Sequence, residues 1–344
     1  MKAEALDVEE FINQSQQQLI IDVRSPIEFN KGHIPGSLNI PLFEDTERAE
    51  IGTLYKIKGK EEAVMRGLEI VSPKLSDFIR KTKNSSQNKD VFVYCFRGGM
   101  RSNSFGWLIN ISGLKSIIMN GGYKAYRNHV LNYFEKPHKL ILLGGATGSG
   151  KTDILKELQK QMQAVDLENL AHHKGSAFGA IGQEPQFPQQ LFEHNLFNEL
   201  KKQDITKTIL LEDESMTIGY NKIPHPFWLQ MKLAPIVKIK VPFELRVKRL
   251  VDEYGTAPVE QLKKSVLNIS EQLGLNNAKN CLQLLDEGDL AEVARLTLIY
   301  YDKAYLYNHE KKGLKTIIEV ETDTDEPVIN AKKVKEAMEL YGNR

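Results

Sequence analysis

Residues 140–152 read LILLGGATGSGKT, and this stretch decides the fold of the second half of the chain. The apolar residues at its start predict a short buried strand, and Gly145 to Thr152 fits the Walker A pattern G-x-x-x-x-G-K-[ST]. The apolar and charged residues at 153–158 predict the helix that follows such a loop. Because loop N–H groups and a helix N-terminus bind phosphate together, we expect an α/β domain with a diphosphate site here.

The Walker A residues have distinct roles toward a bound diphosphate. Lys151 is expected to bridge phosphate oxygens, and Thr152 to ligate Mg²⁺ that arrives with the diphosphate. The predicted phosphate-binding residues are Gly145, Gly148, Ser149, Gly150, Lys151 and Thr152. We predict no metal site of the protein's own, since the paired His172 and His173 have no suitably spaced third ligand.

Charged residues farther along the chain extend this site. The acidic end of the apolar run at 208–214 resembles a Walker B position, with Asp213 as the predicted carboxylate, although a solvated charge cluster is the alternative. Arg246 and Arg249 lie on a predicted helix and are candidates for phosphate contacts, although a solvated basic face is equally consistent. His172, His173 and Lys174 begin a small basic segment that suits a phosphate or an RNA backbone.

A second anion-binding loop, CFRGGMR, occupies residues 95–101. It lies between a predicted strand, Asp90 to Tyr94, and a predicted helix, Arg101 to Ile111. Loop N–H groups, Arg97 and Arg101 would all favour a thiolate at Cys95. The alternative, a buried structural cysteine, requires neither two glycines nor two arginines. We therefore predict a reactive cysteine.

The order of predicted elements indicates two α/β domains. Strands at 19–23, 90–94 and 116–119 alternate with helical segments, which favours a parallel sheet. The charged, proline-containing stretch 133–139 predicts the boundary, giving domains at 1–134 and 135–344. The second domain becomes mostly helical from Pro258 to about His309.

Composition excludes several classes of protein. The 344 residues have a formal net charge of +1, so the overall charge does not predict nucleic-acid binding. Two cysteines argue against a disulfide scaffold, the first ten residues lack the apolar core of a signal peptide, and no apolar run approaches the ~20 residues of a membrane span. We expect a cytoplasmic protein with no membrane association.

The N-terminal half resembles the rhodanese domain, whose loop cysteine carries sulfur or selenium. The residues that carry the resemblance are Asp22-Val23-Arg24, Glu28-Phe29, Gly32-His33-Ile34-Pro35-Gly36-Ser37, the cysteine loop and Gly121-Gly122-Tyr123. Asp22 and Arg24 are expected to tie a strand to a neighbouring loop, and His33 to be a turn residue. The spacing from Cys95 to Arg101 equals the C-x5-R of cysteine phosphatases, which keeps phosphate-ester hydrolysis as an alternative.

A rhodanese domain ahead of a P-loop domain resembles the tRNA 2-selenouridine synthase family over nearly the whole chain. Further matching segments are Gly52-Thr53-Leu54-Tyr55-Lys56, Asp166-Leu167-Glu168, Ala171-His172-His173-Lys174-Gly175-Ser176-Ala177-Phe178-Gly179 and Glu212-Asp213-Glu214-Ser215. Phe96 departs from the family, where a tryptophan is expected, but both side chains are large and aromatic.

The resemblance implies a two-stage reaction on tRNA. Geranyl diphosphate would alkylate the sulfur of a wobble 5-substituted 2-thiouridine, and selenium from selenophosphate would replace the geranylthio group. Cys95 would handle selenium, Arg97 and Arg101 would hold selenophosphate, and the Walker A loop would bind the prenyl diphosphate. The implied partners are the Lys, Glu and Gln tRNAs and a selenophosphate-producing enzyme.

Two surfaces follow as weaker predictions. The geranyl chain requires an apolar pocket, for which the aromatic run Tyr300, Tyr301, Tyr305, Leu306 and Tyr307 is a candidate, although ordinary core is the commoner use of such a run. Basic residues that flank the cysteine loop and the domain boundary would track RNA phosphates if they share a face. They are Lys56, Lys58, Lys60, Lys115, Lys124, Arg127, Lys136 and Lys139.

Other functions stay open at this stage. A P-loop kinase or ATPase with an attached sulfurtransferase would turn over nucleotide in a Lys151-dependent reaction. A non-catalytic RNA-binding module would use the cysteine loop only to sense an anion, so replacement of Cys95 would leave its phenotype unchanged.

Overall fold

A computed structural model describes residues 3–87, 89–311 and 317–342, with side chains left undescribed at 304–311, 317 and 342. The chain forms two compact units. Unit 1 comprises Met1–Tyr133 with Pro188–His194, and unit 2 comprises Phe134–Phe187 with Asn195–Arg344. The domain boundary at 134/135 stays a prediction, but residues 188–194 are grouped with the N-terminal unit although they follow the Walker A loop in sequence.

Unit 1 is built on a parallel sheet with strand order β1-β5-β4-β2-β3. Its strands are β1 (Glu4–Leu6), β2 (Leu19–Asp22), β3 (Leu38–Asn39), β4 (Val91–Tyr94) and β5 (Ser116–Met119). Its helices are α1 (Val8–Gln14), α2 (Pro26–Lys31), α3 (Asp45–Ile57), α4 (Lys60–Val71), α5 (Leu75–Ser86), α6 (Met100–Ile111) and α7 (Gly122–Tyr133). The sheet core includes Ile21, Val93 and Ile118, all buried. Cys95 follows the central strand β4 and therefore lies at the carboxyl edge of the sheet.

Unit 2 is built on a second parallel sheet, with strand order β12-β11-β6-β8-β7. Its strands are β6 (Leu140–Gly145), β7 (Ala164–Val165), β8 (Ile209–Glu212), β11 (Ile236–Lys240) and β12 (Ile317–Glu321). A separate antiparallel pair is formed by β9 (Thr217–Ile218) and β10 (Asn221–Lys222). The Walker A strand β6 is central and pairs with β8, whose register places Leu143 opposite Glu212. This pairing brings the acidic end of β8 to the phosphate loop.

Unit 2 also contains ten helices among the described residues. They are α8 (Lys151–Gln159), α9 (Leu167–Ala171), α10 (Gln189–Lys201), α11 (His225–Leu233), α12 (Phe243–Tyr254), α13 (Val259–Asn268), α14 (Ser270–Leu273), α15 (Leu275–Glu287), α16 (Leu290–Lys311) and α17 (Pro327–Gly342). The first residues of α10, up to His194, belong to unit 1. The region predicted to be helical from Pro258 forms α13 to α16, with an apolar core that includes Leu262, Val266 and Leu273.

The predicted elements are confirmed where hydrophobic pattern determines them. The strands expected at 19–23, 90–94, 116–119, 140–143, 208–211 and 236–239 are present within a residue or two, and the helix expected at 101–111 is α6. Within the part of the chain that the structure describes, none of the helices combines the length and apolarity needed to span a bilayer.

Candidate functional site

The cysteine loop turns sharply because its backbone passes close to that of a second turn. Gly98 and Gly122 both have a positive φ, +63° and +58°. A Cβ on Gly122 would lie 2.3 Å from Cys95 O, and one on Gly98 would lie 2.4 Å from Met119 O. Tyr123 N donates to Cys95 O at 2.8 Å. These contacts leave no room for a side chain at either glycine, since both the left-handed backbone and the space favour glycine alone.

Polar side chains of α6 bind the carbonyl groups of the loop. Asn103 Nδ2 donates to Gly99 O at 2.8 Å and to Gly98 O at 3.2 Å. Ser102, which is buried, lies with its Oγ 3.2 Å from Cys95 Sγ and donates to Gly99 O at 3.2 Å. The loop carbonyls are thereby bound on the helix side. Sequence reasoning did not identify Ser102 as a partner of the cysteine.

A cavity of about 370 Å³ opens above Cys95. It is lined by Arg48, Cys95, Phe96, Arg97, Gly99, Met100 and Arg101. The structure therefore brings all three predicted catalytic residues together and adds Arg48 from α3, which sequence reasoning missed. Arg48 comes from a distant segment, so no local spacing pointed to it.

The two predicted arginines meet different partners. Arg97 is exposed, and its guanidinium lies over the Phe96 ring at 5.9 Å. Arg101 is mostly buried and its Nη1 lies 2.7 Å from Glu28 Oε2. Burial alone would raise the pKa of Glu28, but the hydrogen bond and charge of Arg101 outweigh it and lower that pKa below its ordinary value. Arg101 is therefore neutralised by a carboxylate, whereas Arg97 is available to an anion.

The other residues of the rhodanese resemblance hold the unit together. Buried Arg24 donates through Nη2 to Asp22 at 2.6 Å and to Gly32 O at 2.8 Å, and it lies 3.8 Å from the centroid of the Tyr123 ring. His33 stacks on Phe29 with ring centroids 3.8 Å apart. Asp22 and Arg24 thus tie a strand to a loop, as the sequence predicts, and His33 lies just before the turn at Pro35 and Gly36.

In unit 2 the Walker A loop contacts carboxylates as well as its own backbone. Lys151 Nζ donates to Gly145 O at 3.0 Å. Thr152 Oγ1 lies 3.0 Å from Glu168 Oε2 and 3.1 Å from Glu212 Oε1. Asp213, the predicted Walker B residue, lines the cavity into which the phosphate loop opens. The carboxylates that contact Thr152, however, are those of Glu168 and Glu212. The register of β8 beside β6 explains the contact of Glu212.

Burial and mutual repulsion raise the pKa values of these carboxyl groups. Burial raises the pKa of Glu212 well above its ordinary value, and the charges of Glu168 and Asp166 raise it further. Burial, followed by the charge of Glu168, raises the pKa of Glu214 to about 8. Hard oxygen donors beside a phosphate loop suit Mg²⁺ bound through Thr152 and the diphosphate. Within the described ranges no group of three or more His, Cys, Asp or Glu residues is arranged to hold a metal.

The phosphate loop opens into a cavity of about 980 Å³ that is polar at one end and apolar at the other. Its polar end is lined by Gly145, Gly148, Ser149, Gly150, Lys151, Thr152, Asp213, Glu214 and Arg249. Its more apolar end is lined by Phe178, Leu250, Tyr254, Leu262, Leu290, Val293, Ala294, Thr297 and Tyr301. Helices α12, α13 and α16 supply most of this apolar wall. The cavity therefore suits a ligand with a diphosphate head and a hydrocarbon body.

The two arginines predicted to contact phosphate have different surroundings. Arg246 is absent from the cavity lining given by the described residues; it forms a bidentate pair with Asp302, at 2.8 and 2.6 Å, and donates to Thr147 O at 3.1 Å. The buried guanidinium of Arg246 therefore supports the phosphate loop through its hydrogen bond to the Thr147 carbonyl. Arg249 does line the cavity, next to Gly150, and is paired with Asp153 at 2.5 Å.

In the basic segment after α9, Lys174 lines the cavity, whereas the two histidines before it do not. Lys174 lines the cavity and is paired with Glu253. His172 and His173 are outside the lining traced by the described residues. His172 contacts Pro185 O through Nδ1 at 3.1 Å and packs on Phe187, while His173 Nδ1 accepts from Gly175 N at 3.2 Å. Both histidines therefore contact their own segment, and their contact with a ligand stays a prediction.

The weaker surface predictions have mixed outcomes. Tyr301 lines the apolar end of the cavity, whereas the side chains of Tyr305, Leu306 and Tyr307 lie outside the described residues. Among the basic residues, Lys115 is paired with Glu4 at 3.0 Å and Arg127 with Glu193. Both are therefore occupied by carboxylates.

Comparison with known proteins gives two family matches. Residues 4–129 match the rhodanese-like domain, and residues 138–284 match the tRNA 2-selenouridine synthase AAA domain. The tRNA 2-selenouridine synthase of Shewanella frigidimarina is 37% identical over 336 residues, covering 87% of this chain and 91% of that protein. The one from Shewanella sediminis is 35% identical over 342 residues, covering 87% and 89%. The predicted fold class, a rhodanese-like α/β domain followed by a P-loop α/β domain, is confirmed.

Proposed function

This chain belongs to the tRNA 2-selenouridine synthase family of tRNA-modifying enzymes, and from that premise we propose that it works in two stages on a wobble 5-substituted 2-thiouridine. Geranyl diphosphate first alkylates the sulfur, and selenophosphate then supplies the selenium that replaces the geranylthio group. The Lys, Glu and Gln tRNAs are the proposed substrates. A selenophosphate-producing enzyme is the proposed partner.

In the first stage the thiocarbonyl sulfur attacks the first carbon of the geranyl chain and diphosphate leaves. The residues proposed to bind that diphosphate are Gly145, Gly148, Ser149, Gly150, Lys151 and Thr152, with Arg249 beside them. Positive charge from Lys151 and the helix N-terminus stabilises the leaving diphosphate. Mg²⁺ bound through Thr152 would add further positive charge at the same oxygens.

In the second stage the selenium of selenophosphate adds to C2 of the alkylated base and geranylthiol leaves. Water takes up the phosphoryl group, so phosphate is the other product. S-alkylation matters because it converts a poor leaving group into a thiol that C2 can release. Cys95 is proposed to contact the selenium, and Arg97 and Arg48 to bind the phosphoryl oxygens.

The observation that carries this proposal is the apolar end of the phosphate-loop cavity. A nucleotide would place its ribose and base against that wall, where apolar side chains such as Leu262, Val293 and Ala294 outnumber the hydroxyl groups of Tyr254, Thr297 and Tyr301. A geranyl chain would instead be removed from water, at roughly 25 cal/mol per Å² of apolar surface. The cavity therefore favours a prenyl diphosphate over ATP or GTP.

A P-loop kinase or ATPase coupled to a sulfurtransferase is the second candidate. Lys151, Thr152 and the adjacent Glu212 are also the parts that a nucleotide-hydrolysing site uses. That reading predicts nucleotide turnover that is lost in Lys151→Ala and is not inhibited by geranyl diphosphate.

Mass spectrometry of nucleosides tests the two candidates together. Thiolated tRNA is incubated with the protein and geranyl diphosphate, and then with selenophosphate, in parallel with reactions that contain ATP or GTP. We expect a geranyl mass on the wobble nucleoside, followed by exchange of sulfur for selenium. An unchanged nucleoside with folded protein, together with nucleotide turnover, would favour the kinase or ATPase.

A further inference from the structure

We propose that one face of α3, from Arg48 to Tyr55, and the lysine-rich turn after it bind the single-stranded RNA whose reacting base enters the cysteine cavity. This surface, called the α3 track, consists of Arg48, Gly52, Tyr55, Lys56, Lys58 and Lys60. The inference rests on the proposed function, which supplies RNA as the substrate.

The track begins at the cavity itself. Arg48 lines the space above Cys95, and its Nε lies 3.8 Å from Glu28 Oε2, the carboxylate that Arg101 also contacts. One turn later, a Cβ on Gly52 would lie 2.8 Å from Arg48 Nη1. The guanidinium of Arg48 therefore lies along the surface of α3, in space that the missing side chain of Gly52 provides.

The same face of α3 presents an aromatic ring, that of Tyr55, farther along the helix. Tyr55 is seven residues after Arg48, which is about 10 Å along the axis and within about 20° of the same face. Its side chain is 58% exposed. An exposed tyrosine one short step from a reactive cavity provides a flat surface on which a flanking base can stack.

The end of the track is positively charged. Residues 52–60 contain three lysines and no acidic residue, and Lys56, Lys58 and Lys60 are all exposed. None of the three forms an ion pair with another described residue. Glu61 and Glu62 follow in the first turn of α4, which limits the basic surface to the junction between the end of α3 and the start of α4.

The combination of ring and lysines fits RNA better than a protein partner. Aromatic side chains stack on any base, and lysines contact the phosphates between bases, so the two recur together where proteins bind single strands. Sequence-specific RNA recognition also targets unpaired loops, whose bases are free to stack. A wobble base belongs to such a loop.

Binding of full-length variants to a fluorescent RNA hairpin that carries the unpaired loop tests the track. We expect Tyr55→Ala to weaken binding about 5- to 100-fold by loss of one stacked base, and Tyr55→Phe to bind like the wild type. The double variant Lys56→Ala/Lys58→Ala should lower the dependence of log Kd on log salt by roughly 0.7 for each phosphate that a lysine no longer neutralises. Lys83→Ala, an exposed lysine on α5, is the matched control.

The outcomes separate the track from the proposed function. If the wild type binds and modifies the RNA but both sets of variants bind it equally tightly, the α3 track is wrong and this face serves another partner. If the wild type neither binds nor modifies thiolated RNA, the proposed function itself fails. Because Tyr55 and the lysines are exposed, thermal unfolding should be nearly unchanged in every variant.

Discussion

Arg97 and Arg101 have the same charge but differ in burial, and therefore in their availability to an anion. Arg97 is exposed beside Phe96, whereas Arg101 is held by Glu28 in a mostly buried ion pair. Removal of one partner from such a pair leaves an uncompensated charge, so Arg101 stabilises the loop as well as lining the cavity. We therefore assign anion binding first to Arg97, with Arg48 as its neighbour.

Ser102 is the residue through which α6 acts on the cysteine. Its Oγ lies 3.2 Å from Cys95 Sγ and donates to Gly99 O, so Ser102→Ala should slow replacement of the geranylthio group by selenium roughly tenfold, because the contacts that position the cysteine within its loop are lost. Single-turnover reaction of already geranylated tRNA with selenophosphate measures this. Ser104→Ala, on the exposed side of the same helix, is the control. A Ser102→Ala rate equal to that of the control would contradict the assignment.

Glu214 should make stability depend on pH. Its folded-state pKa is raised to about 8 from an ordinary value of 4.5, so the folded protein holds a proton that the unfolded chain releases. The associated stability is complete below pH 4.5 and is lost as the pH rises toward 8. Glu214→Gln should therefore gain Tm relative to the wild type as the pH rises from 5 to 8. Calorimetry with exposed Glu271→Gln as control checks this, and a pH-independent difference would disprove it.

Site residues differed in how far sequence could predict them. The Walker A pattern identifies Lys151 and Thr152 because the chemistry depends on the local spacing of one loop. Glu168 and Arg48 come from distant segments, and only strand pairing and helix packing bring them to Thr152 and Cys95. The contacts of Arg246 were likewise out of reach of local spacing, because its partner Asp302 lies far along the chain and its other contact is the carbonyl of Thr147.

Among elements, the turn before α7 crosses close behind the cysteine loop. The two backbones approach so closely that Gly122 has no space for a Cβ. The sequence predicted both glycine turns, but not that they contact each other. The strands were predictable because buried apolar runs have few alternatives. Helix α3 has no fully buried residue, and its sequence gave no strong periodic signal.

Gly122→Ala should disrupt this crossing. A Cβ 2.3 Å from Cys95 O, at a φ of +58°, should cost roughly 3 kcal/mol or more and lower the Tm of unit 1 by roughly 10 °C. Gly99→Ala is the matched control because its φ is negative and a Cβ there meets open space. Thermal unfolding followed by circular dichroism measures both. Equal Tm values for the two variants would show that the loops can separate without cost.

For the whole molecule, the proposal divides two chemical stages between two loops. Lys151→Ala should lose alkylation by roughly 100-fold or more but still convert geranylated tRNA to selenated tRNA. Cys95→Ala should accumulate geranylated tRNA. Nucleoside mass spectrometry distinguishes these products, and a mixture of the two variants should restore the complete conversion. Undiminished selenation by Cys95→Ala would remove the cysteine from the mechanism.

The segment Pro188–His194 has a consequence for any attempt to divide this chain. These residues belong to unit 1, where Gln190 accepts a hydrogen bond from Tyr123 at 2.7 Å and His194 contacts His33 O at 2.7 Å. A fragment that stops at residue 134 would therefore expose the buried faces of Tyr123 and Tyr126. A single cut between residues 134 and 188 would separate residues 188–194 from the unit on which they pack, because that compact unit is built from two separate stretches of the sequence.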